Sequence, residues 1–362
     1  MVSKAEPTKV LNYWIANDYL DVAIFLITSL DNLRNRGNLL KRDLDELKRK
    51  LKEIDEKIVQ NPDVAVPENL EISQLFKDFH YTELEVIQRV NILIELLAVY
   101  YFVMRKNLRE LPKAIGSRDI RPRELHKEFN YFVRQDMKDV WRNFKYPDVT
   151  HFVELSSKEQ NTLGKILTKS AVSTLKKFRE VYEFQRNFRI VYNKYKHTLS
   201  ESTGMFGINK EKLIVQSHIF VRHKEEEKTS SGKVETKYHT YLIPVSLGII
   251  EYFDKIARNT WTLLEFLIGN TLYFLANKEK DFIPKRLFVE SEEDKNDLIQ
   301  ICNKVTTYAI PNIRGRIKAK APDQQTMEQI NKKIKTNYIY RMDKDIFNIE
   351  TLLKEGVTIS KD

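Results

Sequence analysis

The run Leu40-Lys41-Arg42-Asp43-Leu44-Asp45-Glu46-Leu47-Lys48-Arg49-Lys50-Leu51-Lys52-Glu53-Ile54-Asp55-Glu56-Lys57-Ile58 decides the fold class. Its apolar residues, Leu40, Leu44, Leu47, Leu51, Ile54 and Ile58, follow intervals of 4, 3, 4, 3 and 4, and every residue between them is charged. That alternation gathers the apolar side chains into one stripe along a helix and leaves the charges to water. The seam covers roughly three heptads, which is marginal for a free-standing coiled coil. An antiparallel helical hairpin within the chain is its expected use.

Working outward, residues 12–32 form an apolar helix candidate interrupted by Asp18 and Asp21. Downstream, Asn61-Pro62-Asp63 and Val66-Pro67-Glu68 make a helix-breaking connector. Helical patterns resume at 71–79 and 82–111. Residues 112–122 read as a loop, and 123–144 as a further helix. Ser156 followed by Glu159 three residues on is a capping-box start. From there to Leu199 the chain holds one glycine and no proline, so a helix of roughly 40 residues is expected, with a break possible inside it.

The period then changes. Residues 213–222 and 234–245 are rich in β-branched and aromatic side chains and are separated by a polar stretch ending at Gly232, the pattern of a long β-hairpin. Helix returns at 247–277. A strand-like piece follows at 286–289, then a helix beginning near Ser291 and a terminal helix over 325–334. The expected fold is mainly α, a multi-helix bundle with an inserted β-hairpin. The expected domains are 1–60 (the heptad-patterned hairpin), 69–205 (a helical domain), 211–245 (the β-hairpin) and 246–362 (a C-terminal helical region).

Composition narrows the class. Hydrophobic residues at 42% are ample for a buried core, and ten Gly with ten Pro in 362 residues favour long helices. Cys302 is the single cysteine, which excludes an intrachain disulfide and a cysteine-based zinc cluster. No signal-peptide pattern opens the sequence, and the most apolar runs, 92–104 and 262–276, each contain a glutamate and fall short of the ~20 apolar residues of a span. A cytoplasmic protein without membrane partners is expected, and no cofactor or metal motif is present.

The formal net charge is +10. Residues 102–123 carry a net +5, 164–197 a net +7 and 311–341 a net +6, which leaves the remainder of the chain acidic. Positive charge gathered in this way attracts polyanions by counterion release, so nucleic acid is the expected partner. In the last of these segments Arg314, Arg316, Lys318 and Lys320 alternate with other residues, which puts the four cations on one face of an extended chain. Arg118 and Arg121 belong to the first.

The most basic segment also contains the one constellation suited to catalysis. Arg189, Asn193 and His197 are spaced i, i+4, i+8, and Arg186 precedes Arg189 by three, so a helix would align all four. Lys194 and Lys196 flank them. A histidine can move a proton near neutral pH, an arginine can hold a phosphate bidentately, and an asparagine can orient either. Together they suit metal-independent RNA cleavage, in which a base activates the 2′-hydroxyl.

The stretch Asn193-Lys194-Tyr195-Lys196-His197, followed by a turn, resembles the motif region of the HEPN superfamily. Those are helical domains, often dimeric, and many are ribonucleases of toxin and antiphage systems. The resemblance implies a catalytic His197, a phosphate-binding Arg189 and a composite site built by a homodimer. Family members place four to six residues between the arginine and the histidine, whereas seven separate Arg189 from His197. Arg121 and His126 fit the family spacing better, but Pro122 places Arg121 in a loop ahead of a helix start. The other reading is a non-enzymatic interaction protein that uses the heptad seam or the hairpin for partners and a basic face for nucleic acid.

Three histidines, His218, His223 and His239, lie on the expected hairpin. With a turn centred near Ser231, His223 and His239 oppose each other as a cross-strand pair, which supplies fewer ligands than a zinc site needs.

Overall fold

The computed structural model describes residues 13–14, 16–60, 70–116, 137–197, 216–228, 234–284 and 286–305. The protein is mainly α-helical. Its helices are α1 (Leu20–Gln60), α2 (Leu70–Lys106), α3 (Leu111–Gly116), α4 (Met137–Asn143), α5 (Ser157–His197), α6 (Leu247–Ala276) and α7 (Glu292–Lys304). Several sequence expectations merge. The 12–32 candidate and the heptad seam share one helix of 41 residues, α1, and the expected gap near Tyr81 is absent from the 37-residue α2. The expected break in α5 is absent too. Two-thirds of the expected 123–144 helix, the terminal helix at 325–334 and the extended basic segment at 310–322 lie outside the described residues.

Helix starts are explained locally. At α5, Ser156 N–H donates to Glu159 Oε2 at 2.9 Å while Glu159 N–H donates to Ser156 Oγ at 3.4 Å, a reciprocal capping box. At α7, Ser291 Oγ accepts from Asp294 N–H at 3.1 Å, and Glu292, Glu293 and Asp294 place carboxylates at the positive end of the helix dipole. Helix ends follow from the shortage of glycine. Asp18, Lys145 and Lys278 take left-handed φ of 58°, where glycine is the usual choice. The chain recloses behind two of them, Tyr146 N–H on Trp141 O and Glu279 N–H on Phe274 O, both at 2.9 Å.

The fold divides into two compact units. The first draws on 1–32, 98–176 and 263–362, the second on 33–97 and 177–262.

In the second unit α1 and α2 run antiparallel, as their contacts show. Asp43 pairs with Arg89 at 2.5 Å, Lys50 donates to Thr82 Oγ1 at 2.9 Å, and Lys57 pairs with Glu71 at 2.7 Å. Each step of seven residues up α1 is matched by a descent along α2. The seam is the dry side of this hairpin: Leu40, Leu44, Leu47 and Ile54 are buried, as are Ile72, Phe76 and Phe79 of α2. Helices α5 and α6 form a second antiparallel pair, through Lys177 with Asn259, Glu180 with Lys255 and the edge-on rings of Phe184 and Phe253. Gly37 of α1 lies beneath the indole of Trp261 on α6.

The core of the first unit gathers Leu26, Tyr101, Phe144 and Phe282. A buried hydroxyl cluster joins Tyr146 to Ser170 at 2.9 Å and to Thr174 at 3.2 Å. The piece at 286–289, read from sequence as strand-like, forms no ladder. It is an extended strap whose backbone is held by side chains instead: Ser170 Oγ accepts from Phe288 N–H at 2.9 Å, and Asn270 Nδ2 donates to Arg286 O at 3.3 Å. Its apolar residues pack on helices, as where the Phe288 ring lies tilted against Phe266 with centroids 4.5 Å apart. Arg286 lies across Gly269 and reaches Glu265 at 3.3 Å.

By length and composition Glu71–Arg105 could cross a membrane, although the apolar run inside it was read as too short. Its most apolar window is 61% buried within the protein, which is the behaviour of a core helix.

Candidate functional site

Helix α5 carries the catalytic-looking constellation, and it continues unbroken to His197. Arg186, Arg189, Asn193 and His197 therefore occupy successive turns of one helix. Arg186 and Asn193 are exposed and Arg189 is half-buried. The side chains of Lys194, Lys196 and His197 lie outside the described residues, as do Arg118, Arg121, His126, Arg314, Arg316, Lys318 and Lys320 altogether. So the structure brings Arg186, Arg189 and Asn193 onto one helix, and convergence of the three basic segments is not among the described contacts.

What holds this end of α5 in place is apolar on one side and polar on the other. Val191 is buried, and Phe188 meets Phe253 edge-on at 5.5 Å. One residue on, Tyr192 donates its hydroxyl to Glu95 Oε2 of α2 at 3.0 Å. Burial, and then the Glu95 carboxylate, push the Tyr192 phenol well above its ordinary range. The phenol therefore stays a neutral donor, which is the form that can hold a carboxylate.

In the second unit several cations face carboxylates: Arg49 lies 2.6 Å from Glu46, Arg89 2.5 Å from Asp43, Lys255 3.0 Å from Glu180 and Arg258 2.7 Å from Asp254, while exposed Lys41 and Lys48 of α1 have no ion pair among the described residues. Arg179 and Arg186, both exposed on α5, have no ion pair among the described residues. In the first unit, exposed Lys158, Lys165 and Lys176 of the same helix are likewise without one, whereas Lys169 is held by Asp294 at 2.7 Å. Positive charge already matched by a neighbouring carboxylate has little left for a polyanion. Unmatched charge on an exposed helix face does.

The sequence pattern points to Arg186 and not to Arg179, which enters only the net charge of 164–197. Glu180 is taken by Lys255 and by Asn259, whose Nδ2 donates to it at 2.7 Å. The Glu95–Tyr192 bond is likewise outside the pattern, since the residues are 97 apart and only the folded chain brings them together.

Chemically, this end of α5 offers guanidinium groups for phosphate, an exposed amide and a histidine position one turn beyond it. Comparison of the chain with protein-family models, with curated proteins and with solved structures finds no match.

Proposed function

We propose that the chain is a HEPN-like, RNA-directed protein of the cytoplasm, and that the end of α5 is its working site. The class comes first: a helical nucleic-acid-binding protein with an unmatched cationic helix face. Within that class, metal-independent RNA cleavage of the toxin or antiphage kind fits the residue set. The observation that carries the reading is the continuity of α5 through His197, which keeps Arg189, Asn193 and His197 at four-residue intervals on one helix.

In the proposed reaction His197 removes the proton of a ribose 2′-hydroxyl. The oxygen attacks the adjacent phosphorus to form a 2′,3′-cyclic phosphate, the bond to the 5′-oxygen breaks, and the leaving oxygen takes the proton that His197 removed, directly or through water. Arg189 and Arg186 hold the phosphate and stabilise the charge that develops on it, with Asn193 orienting the histidine or the phosphate. A homodimer completing the site belongs to the same proposal. So does an inserted hairpin between α5 and α6, with Gln216–Lys228 and Val234–Pro244 as its two strands and His223 and His239 at paired register positions.

A scaffold role through the Leu40–Ile58 seam has less support, because Leu40, Leu44, Leu47 and Ile54 are already buried inside the chain. The deciding experiment is His197→Ala, with folding checked by circular dichroism and cleavage read on labelled RNA. Loss of cleavage in a folded variant is expected. Full activity in that variant overturns the catalytic assignment.

A further inference from the structure

We infer that Arg179 and Arg186 form a sequence-independent track for the phosphate backbone of single-stranded RNA, leading along α5 to Asn193. The inference rests on the RNA reading above and adds to it the residues and the mode of binding. These three positions are seven residues apart, two helical turns, so they recur on nearly the same exposed face with a rise of about 10.5 Å per step.

Both cations are arginines, whose planar fork grips a phosphate with two parallel hydrogen bonds and is less strongly hydrated than an ammonium. Both are exposed, and neither forms an ion pair among the described residues, although the exposed Glu183 lies between them on the helix. Two contacts about 10.5 Å apart cannot be made by one nucleotide, so the track needs an oligonucleotide. Nothing in this arrangement reads base edges. The contacts position a strand without specifying its sequence.

The opposite face of the same stretch is fixed. Phe184 and Phe188 meet Phe253 of α6 edge-on at 5.9 and 5.5 Å, and Lys177 donates to Asn259 at 2.9 Å. The arginines therefore project from a helix that is held on its inner side, and binding does not require the helix itself to become ordered.

The test uses the full-length protein and a labelled single-stranded RNA of mixed sequence, about a dozen nucleotides long, with affinity measured across a salt series. Each lost phosphate contact on a single strand lowers the slope of log K against log salt by about 0.7. Arg179→Gln with Arg186→Gln should reduce the slope by about 1.4 and weaken binding of unrelated sequences alike. The control removes the same charge from α1, where Lys41 and Lys48 are also exposed and without an ion pair. Lys41→Gln with Lys48→Gln should leave the slope unchanged. Arg179→Lys with Arg186→Lys should keep the slope while losing affinity.

Equal slopes for the α5 and α1 double variants overturn the track and leave general attraction of RNA standing. Wild-type protein that binds no RNA overturns both this inference and the reading beneath it. Equal binding of single-stranded DNA leaves the track intact and shows that it reads phosphate, not ribose.

Discussion

Two helix-interior glycines should respond in opposite directions to the same substitution. Glycine within a helix costs about 0.8–1.0 kcal/mol relative to alanine, so Gly→Ala starts with that much in its favour at either site. At Gly37 an added Cβ would stand 3.6 Å from Trp261 Nε1 and 3.8–3.9 Å from the neighbouring indole carbons, which is ordinary van der Waals contact. The indole N–H has no acceptor among the described residues, so the methyl displaces no hydrogen bond. Gly37→Ala should therefore stabilise by about 1 kcal/mol. At Gly269 the Cβ would fall 2.7–2.8 Å from Cδ, Nε and Nη1 of Arg286. The guanidinium must move, which breaks its 3.3 Å contact with Glu265 and loosens the strap that carries it. A part-exposed pair is worth up to about 1 kcal/mol, and the lost packing of the arginine stem adds to that, so the propensity gain is cancelled or reversed. Equilibrium urea unfolding at unchanged m-value reads both variants. A Gly37→Ala variant less stable than wild type by more than ~0.5 kcal/mol, or a Gly269→Ala variant that keeps the full propensity gain, would refute the reasoning.

Two further predictions concern titratable groups. His151 is bound to Asp281, which raises its pKa above 6.5 through a hydrogen bond and opposite charge. The stabilisation from this tie is complete below pH 6.5, the unfolded value, and fades as pH rises through the raised folded value. Asp281→Asn should return the His151 titration, followed by NMR, toward 6.5, and an unchanged midpoint would disprove the pairing. Tyr192→Phe removes the bond to Glu95 from a mostly buried site and should cost about 1–2 kcal/mol in urea unfolding, whereas a loss below ~0.3 kcal/mol would show that the bond contributes little.

How much of this could be read from the sequence depended on the range over which the residues act. The seam from Leu40 to Ile58 was legible because local spacing alone decides which side of a helix is dry. The Ser156–Glu159 capping box was legible for the same reason, since three residues contain the whole motif. Asp18 does interrupt the chain, with its left-handed φ ahead of α1, whereas Asp21 falls inside α1 and the polar residues near Tyr81 fall inside α2, where His80 and Glu83 are buried and face each other instead of breaking the helix. The strap at 286–289 reads as a strand because Leu287, Phe288 and Val289 form a short apolar run, but backbone partners there are Ser170 and Asn270, more than 15 residues away in the chain. At the candidate site, Arg189, Asn193 and His197 could be picked out by interval. Arg179 could not, since its freedom depends on Lys255 and Asn259 occupying Glu180 first.

The boundaries between the two compact units fall at 32/33, 97/98, 176/177 and 262/263, and each of these points lies inside a helix, α1, α2, α5 and α6 in turn. Domain borders usually coincide with exposed linkers, where a protease or a cloning primer can separate the parts. Here there is no such place. A truncation that isolates either unit must cut through four hydrogen-bonded helices and leave four raw helix ends. Fragment libraries of this chain should therefore yield insoluble pieces.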